Sequence, residues 1–365
     1  MFRLKTGIAG SGAIGLAYAA WISHGQHDVS VWSPQTGSAE LLRSEPLRAT
    51  GMLEEAFQVS YAKSAEELAT GVDVIIIALP LNGHRAVMDA LLPYLRTGQV
   101  VIVSSMASLS SLYMYERALT RGIEITVASF GTSALTARRK GPAHVHIMTK
   151  RPSLGVSCLP VSQQGLAMDV CKSLFGSDFK TEENPLSSML SNTSAVGHVP
   201  LALFNWTRIE CGEDWPQYYY MTSRTADVIN ALDAERRSLA SAFGWDLPSF
   251  SQKLRQSFNI ESVELADVAR ELHRKRGGPA GPTNVETRYI WEDVPYGLLF
   301  TLALGRIANV AMPATEAIVA TAGLIVGEAL LRTNDLIEAL GLSTETVPGL
   351  LSRVNVGSPC KDALC

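Results

Sequence analysis

The rhythm of apolar and polar positions along this chain changes once, just after residue 182. Before that point, apolar runs of strand length recur at helix-length intervals: Leu4–Ala9, Val29–Trp32, Val72–Leu79, Gln99–Ser104 and Ile123–Ser129. Val72-Asp-Val-Ile-Ile-Ile-Ala-Leu79 is apolar on both faces, as a central strand of a parallel sheet is. Between these runs the pattern predicts helices over Ile14–Ile22, Arg85–Leu95 and Leu112–Arg121. Two more closely spaced runs, His144–Thr149 and Val156–Leu159, are expected to extend the same sheet by antiparallel pairing. Beyond Glu182 the strand-like runs vanish. Helical patterns cover Leu186–Arg208, Tyr218–Phe243, Ile260–Arg276, Thr287–Ile307 and Ala314–Leu340, with breaks at Gly277-Gly-Pro-Ala-Gly-Pro282 and Val310-Ala-Met-Pro313. The expected architecture is an α/β doubly wound domain over residues 1–180 followed by an all-α domain over 181–365. A substrate cleft between two such domains is the ordinary expectation.

The first turn of the α/β half carries its clearest chemistry. Gly10-Ser-Gly12-Ala-Ile-Gly15 directly follows the first strand and opens the first helix, the context that lifts GxGxxG above a chance match. Gly10 permits the tight turn, Gly12 lets backbone approach a pyrophosphate, and Gly15 lets helix and strand pack closely. Free N–H groups at the helix start then face the phosphates. Gly10, Ser11, Gly12, Ala13, Ile14 and Gly15 are therefore candidate cofactor contacts. The acidic residue that would bind an adenosine ribose at the end of the second strand is missing. Trp32-Ser33-Pro34 stands there, with Thr36, Arg43 and Arg48 beyond. A hydroxyl without a carboxylate leaves room for a 2′-phosphate that an arginine could pair. Ser33 and Arg43 thus favour NADP(H) over NAD(H). Leu79, Pro80 and His84, at the carboxyl edge of the third run, complete the cofactor candidates.

Composition narrows the class. Of 365 residues, 47% are hydrophobic and 18% charged, which describes a buried globular core. The formal charge of −4 argues against a nucleic-acid partner. The apolar stretch Ala317–Gly327 is too short to span a bilayer, and the chain starts directly in its first strand without a leader. A cytoplasmic enzyme without a membrane partner is expected. Cys158, Cys171, Cys211, Cys360 and Cys365 are odd in number and lack metal-site spacing, so reduced structural thiols are expected and no metal. Whether the apolar C-terminal helices form a homodimer interface or complete the core stays open.

Three polar interruptions mark the helical half. His198 lies six residues after Asn192 and seven before Asn205, which puts all three on one side of a helix spanning them. Arg288 and Asp293 are five apart in Arg288-Tyr-Ile-Trp-Glu-Asp293-Val-Pro-Tyr-Gly297. Trp215-Pro-Gln-Tyr-Tyr-Tyr220 precedes Asp233-Ala-Glu-Arg236, where Glu235 and Arg236 read as a solvated helix face.

Together these segments resemble the octopine/nopaline (opine) dehydrogenase family over essentially the whole chain, most specifically in the Arg288–Gly297 motif. The resemblance implies a Rossmann-type domain followed by an all-α domain like the C-terminal domain of 6-phosphogluconate dehydrogenase. It also implies reductive condensation of an amino acid's amine with an α-keto acid through an imine. On this resemblance His198 is the acid/base group and Asp293 the carboxylate that orients it. Arg288 holds a substrate carboxylate. Asn192, Asn205 and Arg138, the last following Ser129-Phe-Gly-Thr-Ser133, are further substrate contacts. The chain departs from the family where Val199 separates His198 from Pro200 and where Ser194 replaces an asparagine. Two rivals remain. One is a keto- or hydroxy-acid reductase of the ketopantoate or β-hydroxyacid type, which would want a lysine with an asparagine; the sequence offers none near Asn192 or Asn205. The other is a non-catalytic dinucleotide sensor.

Overall fold

A computed structural model describes residues 3–35, 39–176 and 178–358, so Thr36, Cys360 and Cys365 lie outside the described residues. The chain divides into two compact units, residues 1–189 together with the stretch from Leu351, and residues 190–350. The sequence pattern divided it at 180/181 and held no sign that the chain's end returns to the first unit. That return is built from Arg353 paired with Glu116 (2.7 and 2.8 Å), Val161 N–H donating to Val356 O (2.8 Å) and the Asn184 amide donating to Asn355 (2.9 Å).

Twelve strands form two sheets in the first unit: β1 Lys5–Ala9, β2 Asp28–Trp32, β3 Leu47–Gly51, β4 Glu55–Phe57, β5 Ser60–Tyr61, β6 Val74–Ile77, β7 Val100–Ser104, β8 Thr126–Phe130, β9 Leu135–Gly141, β10 His144–Lys150, β11 Ser153–Leu159 and β12 Asp178–Thr181. Eight run in the order β12-β11-β8-β7-β6-β1-β2-β5. β5, β2, β1, β6, β7 and β8 are mutually parallel, and β11 joins β8 antiparallel, as its spacing suggested. β1 has β2 on one side and β6 on the other, so the topological switch point lies at the carboxyl ends of β1 and β6, where ligands of such sheets bind. The helices of this unit are α1 Ala13–His24, α2 Ala65–Thr70, α3 His84–Leu91, α4 Ser110–Leu119 and α5 Gln164–Phe175.

The run His144–Lys150 does not extend the main sheet. It lies in a second sheet, ordered β4-β3-β10-β9, parallel to β3 and antiparallel to β9. The cause is α1. Leu16, Ala17, Tyr18, Ala19, Ala20 and Ile22 are all fully buried, and a helix apolar on every side needs cover on every side. Leu47, Ala49, Leu135, Val145 and Ile147 of the second sheet share one core with it. The Tyr18 hydroxyl, whose pKa burial raises to about 12, accepts from Ala134 N–H (2.8 Å) and bonds Ser104 Oγ (2.6 Å).

From residue 185 the described chain is helical, and its helices are shorter than the pattern suggested. Leu186–Arg208 is three helices, α6 Pro185–Ser191, α7 Ser194–Leu203 and α8 Trp206–Glu210. Asn192 breaks the run because its Oδ1 takes the Ser194 N–H (2.8 Å), a local bond that competes with helix. α9 Ser223–Ala242, α10 Phe250–Phe258 and α11 Leu265–Arg276 follow. α12 Arg288–Trp291 leads into a π-helical segment, Asp293–Leu299, and α13 Phe300–Ala308; α14 Pro313–Val326, α15 Leu336–Ala339 and α16 Val347–Val354 close the order. The Gly-Pro stretch before α12 is strapped down: Gly281 N–H donates to Trp215 O (2.8 Å), Gln217 N–H to Pro279 O (3.2 Å) and Trp215 Nε1 to Pro282 O (3.0 Å).

Glu235 and Arg236 are not a solvated face. Arg236 pairs with Asp233 at 2.8 Å, both side chains 4% exposed, and donates to Leu190 O (2.6 Å) and Pro248 O (2.8 Å). Asp233 accepts the Phe250 N–H (2.9 Å). Glu235 caps α14 through the N–H groups of Ala314 (2.7 Å) and Thr315 (2.9 Å), a carboxylate at the positive end of a helix. Removing one partner of a buried pair leaves the other charge uncompensated. Asp233→Ala is therefore expected to cost about 3–5 kcal/mol in urea unfolding; a loss under about 1 kcal/mol would show the pair to be dispensable.

Candidate functional site

The nucleotide turn is fixed by backbone contact. Gly10 has φ +130°, and a Cβ there would sit 2.2 Å from Ala78 O; a Cβ on Gly15 would sit 2.0 Å from Gly10 O. Both positions are closed to any side chain. Gly12 differs, since a Cβ there would meet no atom within 4 Å. The turn thus leaves an open approach to backbone at the start of α1, whose first turn carries no acidic residue. These features fit a dinucleotide pyrophosphate. Ser11 is buried, while Ala13 and Ile14 are half-buried. Ser33 is half-buried just past β2, and Arg43 is exposed with its guanidinium 5.5 Å from the Tyr61 ring centre. Leu79 and Pro80 follow β6 at the switch point.

His84 is corrected by the structure. It is fully buried and both ring nitrogens are engaged within the protein, Nε2 donating to Leu79 O (3.2 Å) and Nδ1 accepting from Ser110 Oγ (3.1 Å). Burial lowers its pKa from 6.5 to about 4, so the ring is neutral at pH 7. It ties the turn after β6 to α4.

The helical unit brings His198 and Asp293 together across 95 residues of sequence. His198 lies in α7 and Asp293 opens the π-helical segment; Nδ1 and Oδ2 are 2.8 Å apart, with 19% and 18% of the side chains exposed. Two glycines permit this. A Cβ on Gly297 would lie 2.6 Å from Ala195 Cβ, and one on Gly197 would lie 2.8 Å from Phe250 Cζ. Because a carboxylate only accepts, Nδ1 carries the proton and Nε2 is left with a lone pair whenever the ring is neutral. Tyr289, to which the sequence reading gave no role, stacks on the imidazole with ring centres 3.9 Å apart and planes 3° apart. The only signal for it was its place in the Arg288–Gly297 motif.

Arg288 opens α12, is exposed, and makes no ion pair among the described residues. Its charge and that of Asp293 both act on Tyr289, so the cation and the dyad share one neighbourhood. Asn192 sits in the break between α6 and α7, not on a helix with His198. Asn205 is buried at the start of α8 and donates to Leu201 O (2.9 Å), which makes it a local cap. Arg138 is exposed on β9, opposite His146, in the first unit. The lysine that the sequence lacked near Asn192 arrives through space, because the Lys253 ammonium of α10 donates to Ser191 O. Among the described residues no three acidic, histidine or cysteine side chains form a metal cluster, and no helix is long and apolar enough to cross a membrane. Cys158 and Cys171 are buried free thiols, with burial raising both pKa values, and Cys211 is an exposed one.

Residues 181–326 match the family described as NAD/NADP octopine/nopaline dehydrogenase, alpha-helical domain, and residues 6–155 match ketopantoate reductase PanE/ApbA. The opine dehydrogenase of Arthrobacter sp. (strain 1C) is 29% identical over 285 residues, covering 77% of this chain and 79% of that enzyme. Octopine dehydrogenase, solved with NADH and L-arginine, superposes with a TM-score of 0.79 at 17% identity over 97% of this chain and 98% of that one. Yersinopine dehydrogenase with NADP+ bound gives 0.71 at 16% identity, over 97% and 98%.

Two outcomes test these assignments. Gly12→Val is expected to leave the unfolding temperature near wild type, yet weaken dinucleotide binding at least about tenfold, or ~1.4 kcal/mol, in a fluorescence titration; unchanged affinity would remove the turn from the cofactor site. For His84, the unfolded chain takes up a proton between pH 6.5 and 4 while the folded chain does not. Stability therefore falls as pH drops through that window, by about 3 kcal/mol in all. Urea unfolding of His84→Gln across the same window should show a correspondingly shallower decline; an unchanged slope would refute the buried neutral ring.

Proposed function

We propose that this protein, an oxidoreductase of the opine dehydrogenase kind by its helical domain, condenses the amine of an amino acid with an α-keto acid and reduces the resulting imine. The observation that carries this reading is the His198–Asp293 pair beside the uncompensated Arg288. When bound, NAD(P)H supplies the hydride. The rest falls to side chains. Arg288 takes the keto-acid carboxylate in a bidentate grip. Asp293 holds the Nδ1–H tautomer of His198 and balances the imidazolium that forms. His198 Nε2 takes a proton from the amino acid's ammonium and frees the amine to attack the keto carbon; a further amine proton passes to the oxyanion, and the imidazolium then gives its proton to the resulting hydroxyl, which leaves as water and leaves an iminium for the hydride. Imidazole suits both transfers because one ring nitrogen can take and give a proton while the other stays bonded to the carboxylate.

The finer assignments belong to the same reading. NADP(H) is favoured over NAD(H) because no carboxylate follows β2 and Arg43 stands on the next turn; relatives of the same fold were solved with either cofactor. The partners are two small molecules, and the reaction is assigned to the cytoplasm. A second reading, reduction of the keto acid alone, is favoured by Lys253, whose ammonium donates to the carbonyl of Ser191, the residue before Asn192.

Dinucleotide oxidation followed at 340 nm with pyruvate and a panel of amino acids separates the two. Oxidation that needs both keto acid and amine is expected, whereas oxidation with keto acid alone would favour the second reading. His198→Ala should lower kcat about 10²–10⁴-fold. Arg288→Lys should raise the keto-acid KM about tenfold or more, as loss of a charged bidentate contact does. Full turnover by His198→Ala would sink the acid–base role.

A further inference from the structure

We infer that Tyr289, tethered by Gln217, is the positioning residue that fixes the plane of the His198 imidazole. The proposal rests on the acid–base role argued above for His198. A single hydrogen bond from Nδ1 to Asp293 holds one atom of the ring; it leaves the ring free to swing about that bond, and Nε2 swings with it. A second constraint must act on the ring's face. Tyr289 supplies it, stacked at 3.9 Å with only 3° between the planes. Contact over a whole ring face resists tilting as no second point contact could, and proton transfer loses rate steeply when the transferring atom is misplaced.

Tyr289 is itself held at its far end. Its hydroxyl donates to Gln217 Oε1 at 2.7 Å. Burial raises the Tyr289 pKa to about 12, so the phenol keeps the proton that makes this bond throughout the working range. Gln217 is 5% exposed, and its own N–H is spent on Pro279 O. The Gly-Pro stretch that reads as a break between helices in the sequence thus anchors Gln217, which anchors Tyr289, which flattens His198. At the near end, Thr287 Oγ1 accepts the Tyr289 N–H (3.3 Å) and starts α12, so ring and backbone are fixed together. The charged groups around this stack are Asp293 and Arg288, and the Tyr218 phenol also lies beside it.

Three variants of the full-length protein test the assignment: Tyr289→Phe, Tyr289→Leu and Gln217→Met. Each is measured for kcat and KM with keto acid plus amine and for dinucleotide affinity. Each is also examined by ¹⁵N NMR of the His198 ring, which reports tautomer and ring order without turnover. Tyr289→Leu is expected to lower kcat about 10- to 100-fold with dinucleotide affinity unchanged, and to lose the single Nδ1–H signature. Tyr289→Phe, which keeps the stack, should recover to within about threefold of wild type and retain the signature. Gln217→Met keeps the ring and frees its tether as Tyr289→Phe does, so a loss of the same size, about threefold, is expected, and it serves if Tyr289→Leu does not fold. A Tyr289→Leu protein with wild-type kcat and an ordered tautomer would overturn the proposal. So would Phe and Leu variants equally impaired, which would assign the role to the hydroxyl. A wild-type protein without amine-dependent oxidation would defeat the reading of the reaction, while the NMR comparison would still decide the clamp.

Discussion

Everything proposed for the helical unit depends on one close approach, where α7 runs against the π-helical segment at a position with no side chain. A Cβ on Gly297 would come within 2.6 Å of Ala195 Cβ, far inside contact distance. Only glycine lets the two backbones meet there. The meeting sets Asp293 Oδ2 2.8 Å from His198 Nδ1. The wide π turn is a rare form of helix that occurs frequently at functional sites. It is braced from outside, because the Asn334 amide donates to Pro295 O (2.8 Å) and the Tyr296 hydroxyl to Thr333 O (2.9 Å).

The same dyad is supported from α7's other flank. Gly197, one residue before His198, faces the Phe250 ring at a distance that excludes a Cβ. Phe250 begins α10, and its N–H is held by Asp233, which is in turn held by Arg236. A buried ion pair is weak evidence for stability as such, since its desolvation offsets its attraction. Its value here is directional: Arg236 spends its remaining donors on two carbonyls from separate segments, Leu190 and Pro248, and so fixes where α10 starts. Asp233-Ala-Glu-Arg236 therefore reaches His198 through packing, by way of Phe250 and Gly197.

Legibility in the sequence followed the range of the interactions. The glycine turn was readable because strand, turn and helix are consecutive and each glycine answers to a neighbour in that unit. The all-apolar α1 was readable as a helix, but the second sheet that covers it comes from strands 47–57 and 135–150, whose alternation does not say which sheet they join. Asn192 misled the reading because helical periodicity was carried across a residue whose side chain ends the helix. His84 misled it because proximity to a strand end says nothing about burial. The pairing of His198 with Asp293 had no local signal and was legible only through family resemblance. Tyr289 and Gln217 were visible as letters, with nothing to reveal that Tyr289 stacks on His198 and bonds Gln217 across 72 positions.

The nucleotide half cannot choose the reaction. Residues 6–155 match ketopantoate reductase PanE/ApbA while residues 181–326 match the octopine/nopaline dehydrogenase helical domain, and one dinucleotide-binding fold serves many reactions. The choice has to be read from which proton-carrying group in the helical half is free to act. Lys253 has the right neighbour in Asn192, but its ammonium donates to the Ser191 carbonyl at the end of α6, a helix-capping contact for which a lysine needs no catalytic role. His198 is arranged in the opposite sense. Its Nδ1 is occupied by Asp293, its face is covered by Tyr289, and its Nε2 makes no hydrogen bond among the described residues. A group tied at one atom and presented at the other suits repeated proton exchange with a substrate, and condensation of an amine with a ketone requires more such exchanges than reduction of the ketone does.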